Sequence, residues 1–186
     1  MINKVDILKF YIKEDAQANK IQSWIDYCIK LMYGNVNACV FRYLKVLRKY
    51  EYYSKNNKFL RYYYRFLHRR YGLKYNLAIP INKVGFGLYI PHIEGGVIVN
   101  CEKIGDHCTI NSGVVVGNKG DNSKVPTIGN NVTLSVGCKI IGNITIGNNV
   151  LVAPNAVVVK DVPDNCVVAG VPARIIKKDG IKVNNR

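Results

Sequence analysis

A parallel β-helix preceded by an α-helical segment is the fold class this sequence predicts, on three observations. Stepping by six from Ile104 gives Ile104, Ile110, Val116, Asn122, Ile128, Leu134, Ile140, Ile146, Val152 and Val158, all branched aliphatics except Asn122. Gly follows directly at 105, 117, 129 and 147, and the run IGNN recurs at 128–131 and 146–149. Upstream of residue 76 the apolar residues return instead at three-and-four spacing. A period of six wanders around an α-helix, which repeats every ~3.6 residues. A short strand closed by a tight turn can use it, and such repeats stack so that each coil buries its inward residues on the next.

These periods divide the chain into a helical domain over 1–75, a β-helix domain over 76–178 and a C-terminal tail over 179–186. ANKIQSWIDYCIKLMYG places Ile21, Trp24, Ile25, Cys28, Ile29 and Met32 on one helical face, with Gly34 as a stop. A second helix is expected over NACVFRYLKVLRKYEYYS and a third over FLRYYYRFLHRRYG, closing at Gly72, with Asn37 and Asn57 near their starts as caps. In the repeats, Gly and Asn suit the corners because both accept positive φ at little cost. Asn122 lies in GNKGDNSKVP (117–126), where one repeat gives way to polar chain while the phase is kept. That segment reads equally as a tolerated insertion or as a loop closing over a ligand.

Length and composition bound the class. At 186 residues the chain allows one domain, or a small domain plus an appendage. With 48% hydrophobic and 21% charged residues it is not a disordered chain. No apolar run approaches the roughly 20 residues that span a bilayer. MINKVDILKFYIKEDAQ has charges within its apolar stretch and no small-residue cleavage site, so no secretory signal is expected and the location is read as cytoplasmic. The net charge of +15 is uneven: residues 1–75 hold 16 Lys and Arg against 5 Asp and Glu. The six cysteines form no CxxC pair and no zinc spacing, and Cys108 and Cys138 fall where neighbouring repeats carry small apolar residues. They are expected as core residues in a reducing compartment.

The rhythm breaks at IPHIEGGVIVN (90–100). Val84 and Ile90 keep the six-residue step but are offset by two, and His92, Glu94, Gly95 and Gly96 occupy the junction. From the residues alone, this is a hydrogen-bonded corner with Gly-Gly as its turn, or a corner that presents a base and lets a ligand approach bare backbone.

IPINKVGFGLYIPH, KVPTIGNNV, CKIIGNITIGNNV and VVVKDVPDNCVVAGVPARII resemble the hexapeptide-repeat acyltransferases, and within them the serine acetyltransferase-like branch. The resemblance covers roughly 78–178, and VAGVPARII is its specific closing signature. It implies a left-handed parallel β-helix with three repeats per triangular coil, acetyl-CoA as cosubstrate with no metal, and a homotrimer with sites between subunits, open to pairing into hexamers. It also implies that His92 is a general base. Imidazole titrates near pH ~6.5 and is largely neutral at pH 7, so it can take a proton from an alcohol that attacks the thioester. Gly95 and Gly96 are the candidate backbone donors to the carbonyl oxygen. For acetyl-CoA the resemblance points to Gly137, Gly142, Ala153, Pro154, Gly170, Ala173 and Arg174, with Lys160, Arg174, Lys177 and Lys178 as phosphate partners.

Three positions depart from the serine enzymes. An aspartate fifteen residues before the histidine is Leu77 here, one directly before it is Pro91, and a second histidine in the polar loop is Val125. A site that reads an amine and a carboxylate does not keep its substrate after such exchanges. The expected acceptor is therefore a small molecule or glycan, most closely a sugar hydroxyl of surface polysaccharide, with serine as the alternative and Glu94 as the candidate stand-in carboxylate. A non-catalytic β-helix scaffold is the rival outside the enzyme class. A metal-dependent hydratase would need three converging histidines, and the repeat region has only His92 and His107.

Residues 50–75, YEYYSKNNKFLRYYYRFLHRRYGLKY, interleave aromatics with cations. They read as a cap on the first coil that mediates oligomer contacts, with peripheral contact to the inner membrane face left open and no nucleic-acid partner expected. His68, in the HRR cluster, is expected at the surface.

Overall fold

The computed structural model describes residues 2–120 and 124–183; the ladder position Asn122 and the last three residues of the expected tail lie outside them. Four helices come first: α1 (Val5–Ala18), α2 (Trp24–Met32), α3 (Val36–Asn56) and α4 (Lys58–Tyr75). α1 was not expected as a separate helix. Ser23, Asn35 and Asn57 cap α2, α3 and α4 by accepting from the N–H groups of Asp26, Ala38 and Leu60. The cap of α3 is thus Asn35 and not Asn37, because Val36 is already helical. α4 also runs past Gly72 to Tyr75, and Asn76 (φ 55°) takes the left-handed C-cap. Gly72 serves close packing: a Cβ there would lie 2.7 Å from the Leu77 carbonyl oxygen.

From Leu77 the chain winds into a prism with three faces. Face A stacks β1 (Leu77–Ala78), β2 (Val97–Val99), β5 (Val114–Gly117), β8 (Lys139–Ile141) and β11 (Val157–Val158), all parallel. Face B stacks β3 (Lys103–Ile104), β6 (Thr127–Ile128) and β9 (Thr145–Ile146). Face C stacks β4 (Thr109–Ile110), β7 (Thr133–Leu134), β10 (Leu151–Val152) and β12 (Cys166–Gly170). β12 folds back as a hairpin into β13 (Ala173–Lys178), and β14 (Ile181–Lys182) pairs with β13, so part of the expected tail is strand. The nine aliphatic ladder residues are all buried. Each contributes about 1.5–3 kcal/mol of burial, which is what makes the period visible in the sequence.

The glycines after the ladder residues do a different job from the one expected. Gly105, Gly129 and Gly147 have no positive φ; a Cβ on them would lie 2.3, 2.7 and 2.2 Å from Asn130, Asn148 and Asp164 respectively, on the coil stacked next to them. The left-handed corner positions are instead His107, Asn131, Asn149 and Asn165, with φ of 54–58°. Asn131, Asn149, Asn165 and Asp179 are linked side chain to side chain down that corner at 2.9–3.3 Å.

The open end of the prism is covered by α3, whose Val40, Tyr43, Leu44 and Leu47 share one core with Leu77, Ile79 and the ladder. Tyr71 and Tyr75 add the end of α4, while the rest of α4 lies outside on α3. Residues 50–75 are therefore not the main cap. Beneath the cap sits a buried ion cluster. Arg48 donates to Asp15 (2.8 Å), to Glu51 (3.2 Å) and to the carbonyls of Val84 and Gly85. Asp15 also accepts from the Leu88 N–H and Glu51 from the Asn82 N–H, so α1, α3 and the first coil are fixed through one guanidinium. Burial pushes the Cys101 and Cys108 thiols up to about 11 and Cys138 to about 12, as expected of core residues.

Candidate active site

His92 stands on the corner between faces C and A of the first coil. Eight positions separate Ile90 from Ile98 around this corner, against five from Ile110 to Val115, Leu134 to Lys139 and Val152 to Val157 in the coils stacked on it. The His92 corner is three residues longer than the others. The next edge, Ile98 to Ile104, is one residue shorter than Lys139 to Ile146, which leaves the net offset of two in the sequence.

The added length carries the imidazole outward, where its side chain is 61% exposed. Its Nδ1 lies 3.9 Å from a Glu94 oxygen, too far for a hydrogen bond, and that same oxygen accepts from the Ile93 N–H at 3.0 Å. Glu94 thus folds back on its own turn, near the ring but not bonded to it. Gly96 (φ 70°) donates its N–H to the Ile93 carbonyl, so it is committed to the turn. Among the described residues Gly95 makes no backbone hydrogen bond through its N–H, which singles it out of the expected pair as the available donor. A Cβ on Gly95 would come within 3.1 Å of the Gly113 nitrogen on the adjoining coil.

The residues expected around a nucleotide thioester do not gather in one place. Gly137, Ala153 and Pro154 lie on the His92 corner in lower coils, where Gly96, Gly113, Gly137 and Asn155 repeat the left-handed conformation. Gly142 lies on the opposite edge of face A, at a recess of about 250 Å³ lined also by Lys119, Lys124, Asn143 and Val159, with Lys160 next in chain. Gly170, Ala173, Arg174, Lys177 and Lys178 belong to the β12–β13 hairpin, with Gly170 opposite Ala173 and Val167 opposite Lys177. Lys119 and Lys124 went unnamed in the sequence; their position in the polar loop beside a glycine corner was the signal.

Beside the His92 corner, a cleft of about 790 Å³ runs between α4 and face A. Its floor is formed by the outward side chains Ala78 and Ile98 of face A, whose neighbours Leu77, Ile79, Val97 and Val99 point into the core, and its rim includes His68, Arg69, Asn76, Glu94, Gly95 and Gly96. Leu77 is buried, and Val125 is half-buried on its own corner. His68 does not face solvent as expected. It stacks on Tyr43, whose hydroxyl is 2.9 Å from its Nε2, and burial lowers its pKa below the ordinary histidine value. Among the described residues no three His, Cys, Asp or Glu side chains converge as a metal-holding group.

Residues 126–160 match the family model for the bacterial transferase hexapeptide (six repeats). The chain is 41% identical over 107 residues to a serine acetyltransferase of Synechococcus elongatus, covering 56% of this chain and 44% of that protein. It spans about half the length of the curated relatives it matches. Among solved structures it is similar to serine acetyltransferase from Brucella abortus, at TM-score 0.74 and 26% identity over 96% of this chain and 72% of that one. The same enzyme solved with coenzyme A matches at TM-score 0.70 and 26% identity, over 96% and 71%. These neighbours extend over the helices as well as the repeats. The prism is a left-handed β-helix like that of these serine acetyltransferase structures, and its lower coils carry the bacterial transferase hexapeptide.

Proposed function

We propose that the chain is an acetyl-CoA-dependent O-acetyltransferase in which His92 is the general base, and that serine is its acceptor. The observation that carries this reading is the lengthened corner, which holds an imidazole out to solvent beside the free N–H of Gly95. The thioester of acetyl-CoA supplies the activated acetyl group. His92 removes the hydroxyl proton as the acceptor oxygen bonds to the carbonyl carbon, and afterwards holds the proton that the departing thiolate takes up. The Gly95 N–H faces the developing charge on the carbonyl oxygen. Glu94, 3.9 Å from the ring, does not orient it by a hydrogen bond. Lys119, Lys124 and Lys160 supply cations beside Gly142 suited to phosphate oxygens.

His92 and the Gly142 recess occupy different edges of one prism. We place the working site between subunits of a homotrimer, where one subunit's His92 edge meets its neighbour's lysine-bearing edge. Serine is favoured by the names of the relatives, in place of the surface-polysaccharide acceptor expected from the sequence. A sugar hydroxyl is the second reading, because the floor of the cleft is Ala78 and Ile98 and offers no partner to an ammonium group.

Coenzyme A release with serine, against release with a panel of sugars, decides the acceptor. His92→Ala should lower turnover ~10²–10⁴-fold with coenzyme A binding retained. Unchanged turnover with the true acceptor would remove His92 as the base.

A further inference from the structure

Most of the outer face of α4 lies away from the cleft beside His92, which only Arg69 and Leu73 of that face line. At about 100° per residue, Phe59, Tyr62, Tyr63, Phe66 and Leu73 fall in one stripe. All five are exposed, with Phe59 at 89%, Phe66 at 62% and Leu73 at 75%. Lys58, Arg61, Arg65 and Arg69 lie along one flank of this stripe, Arg70 within it and Lys74 on the other side, every one exposed. None of these six cations forms an ion pair among the described residues. The sequence has no acidic residue between Glu51 and Glu94. The opposite side of α4 is already occupied: Tyr64 stacks on Tyr53, His68 on Tyr43, and Tyr75 is in the core.

We propose that α4 is an interfacial helix that seats the protein on an anionic phospholipid bilayer, with Phe59, Phe66 and Leu73 entering the headgroup boundary. A stripe of Phe, Tyr and Leu bordered by unpaired Lys and Arg has the chemistry such a surface takes: apolar side chains to bury and cations to meet the phosphates. A second copy docked on the same stripe by a two-fold would set six cations against six with no acid between them. Single-stranded nucleic acid is held in grooves that track its backbone, whereas this row crowns a convex helix, and Phe59, Phe66 and Leu73 offer it no hydrogen bond. The exposed apolar residues of α2, Trp24, Ile25, Ile29 and Met32, lack such a border: Lys30 is paired with Asp26 and Lys45 sits over Trp24.

The test is sedimentation of the full chain with vesicles of phosphatidylglycerol and phosphatidylcholine, against phosphatidylcholine alone. The protein should pellet with the anionic vesicles only, and release in high salt. F59S/F66S, which keeps every charge, should lose at least about tenfold in partitioning, and R61E/R65E should lose more, with circular dichroism and coenzyme A release unchanged for both. In the unmodified protein, anionic vesicles should slow amide exchange over residues 58–75, a readout needing no variant. Failure to pellet with anionic vesicles overturns the proposal. So does F59S/F66S partitioning like the parent, which would leave charge alone. Dissociation of an oligomer by F59S/F66S without vesicle binding would assign the stripe to a second copy. Retention on a single-stranded RNA oligonucleotide without vesicle binding would assign it to nucleic acid. None of these outcomes bears on whether His92 is the base.

Discussion

The Nε of Arg48 lies 2.8 Å from Oδ2 of Asp15, and neither side chain has any exposure to solvent. The attraction of the two carboxylates raises the guanidinium pKa against the cost of burial, so the group stays charged. Its donors divide between α1, α3 and the first coil, which makes its removal more costly than the loss of one surface pair.

Arg48→Met should therefore destabilise the protein by about 3–5 kcal/mol in urea unfolding, because it strands Asp15 and Glu51 as unpaired buried charges. Arg48→Lys should cost less but remain well below the parent, since one ammonium cannot reproduce a planar fork.

His68 gives stability a pH dependence whose sign is fixed by burial. Its folded pKa lies below the ordinary value, so on acidification the unfolded chain takes up the proton first, from about pH 6.5 downward. Stability should be complete above that pH and fall progressively as pH drops toward the lower folded value. Urea midpoints at pH 7.5 and 5.5 measure this, and His68→Gln should flatten the difference.

Gly129→Ala and Gly147→Ala should each destabilise by about 1–3 kcal/mol, because the new Cβ meets atoms at 2.7 and 2.2 Å respectively. Gly117→Ala, with nothing within 4 Å and no positive φ, should change the unfolding midpoint by less than about 0.5 kcal/mol equivalent. Equal effects at all three positions would refute close stacking as the reason for these glycines.

Native-state alkylation followed by mass spectrometry should label Cys28 and Cys39, which are half-buried, and spare Cys101, Cys108, Cys138 and Cys166 until the chain is unfolded. The last four are buried, and burial raises the pKa of each thiol, leaving little thiolate to react.

If Lys119 and Lys124 meet phosphate oxygens, replacing both with Ala should raise KM for acetyl-CoA about tenfold or more and leave kcat nearly unchanged. A fall in kcat at constant KM would place these lysines elsewhere in the reaction.

The repeat was legible because an inward residue must be apolar on every edge, and Ile104 through Val158 report that row directly. The same row does not say which edge a residue occupies. Gly137 and Gly142 are five apart yet stand on different corners, and the expected thioester set scattered for that reason. His92 was legible because a lengthened corner disturbs the count. In the helical part, Trp24, Ile25, Ile29 and Met32 have the spacing of a buried stripe and are exposed, since periodicity marks a face without saying what covers it. Asp15, Arg48 and Glu51 read as ordinary helix-surface charges; their cluster exists only once α1 and α3 meet the first coil. His68 was hidden by the arginines beside it, which hold the opposite side of the same turn.

The uniform step of the lower prism bears on how such a chain can change length. Thr127 to Thr145, Thr133 to Leu151 and Lys139 to Val157 are each separated by 18 residues, and every pair lies in register. A tandem duplicate of residues 129–146 inserted after Ile146 would offer each neighbouring storey the side chains it already rests on, corner amides included. A single residue added within an edge would turn an inward aliphatic outward and break that register. The tower can grow or shrink by whole storeys, and fractional additions are tolerated only at corners, as the three extra residues beside His92 illustrate.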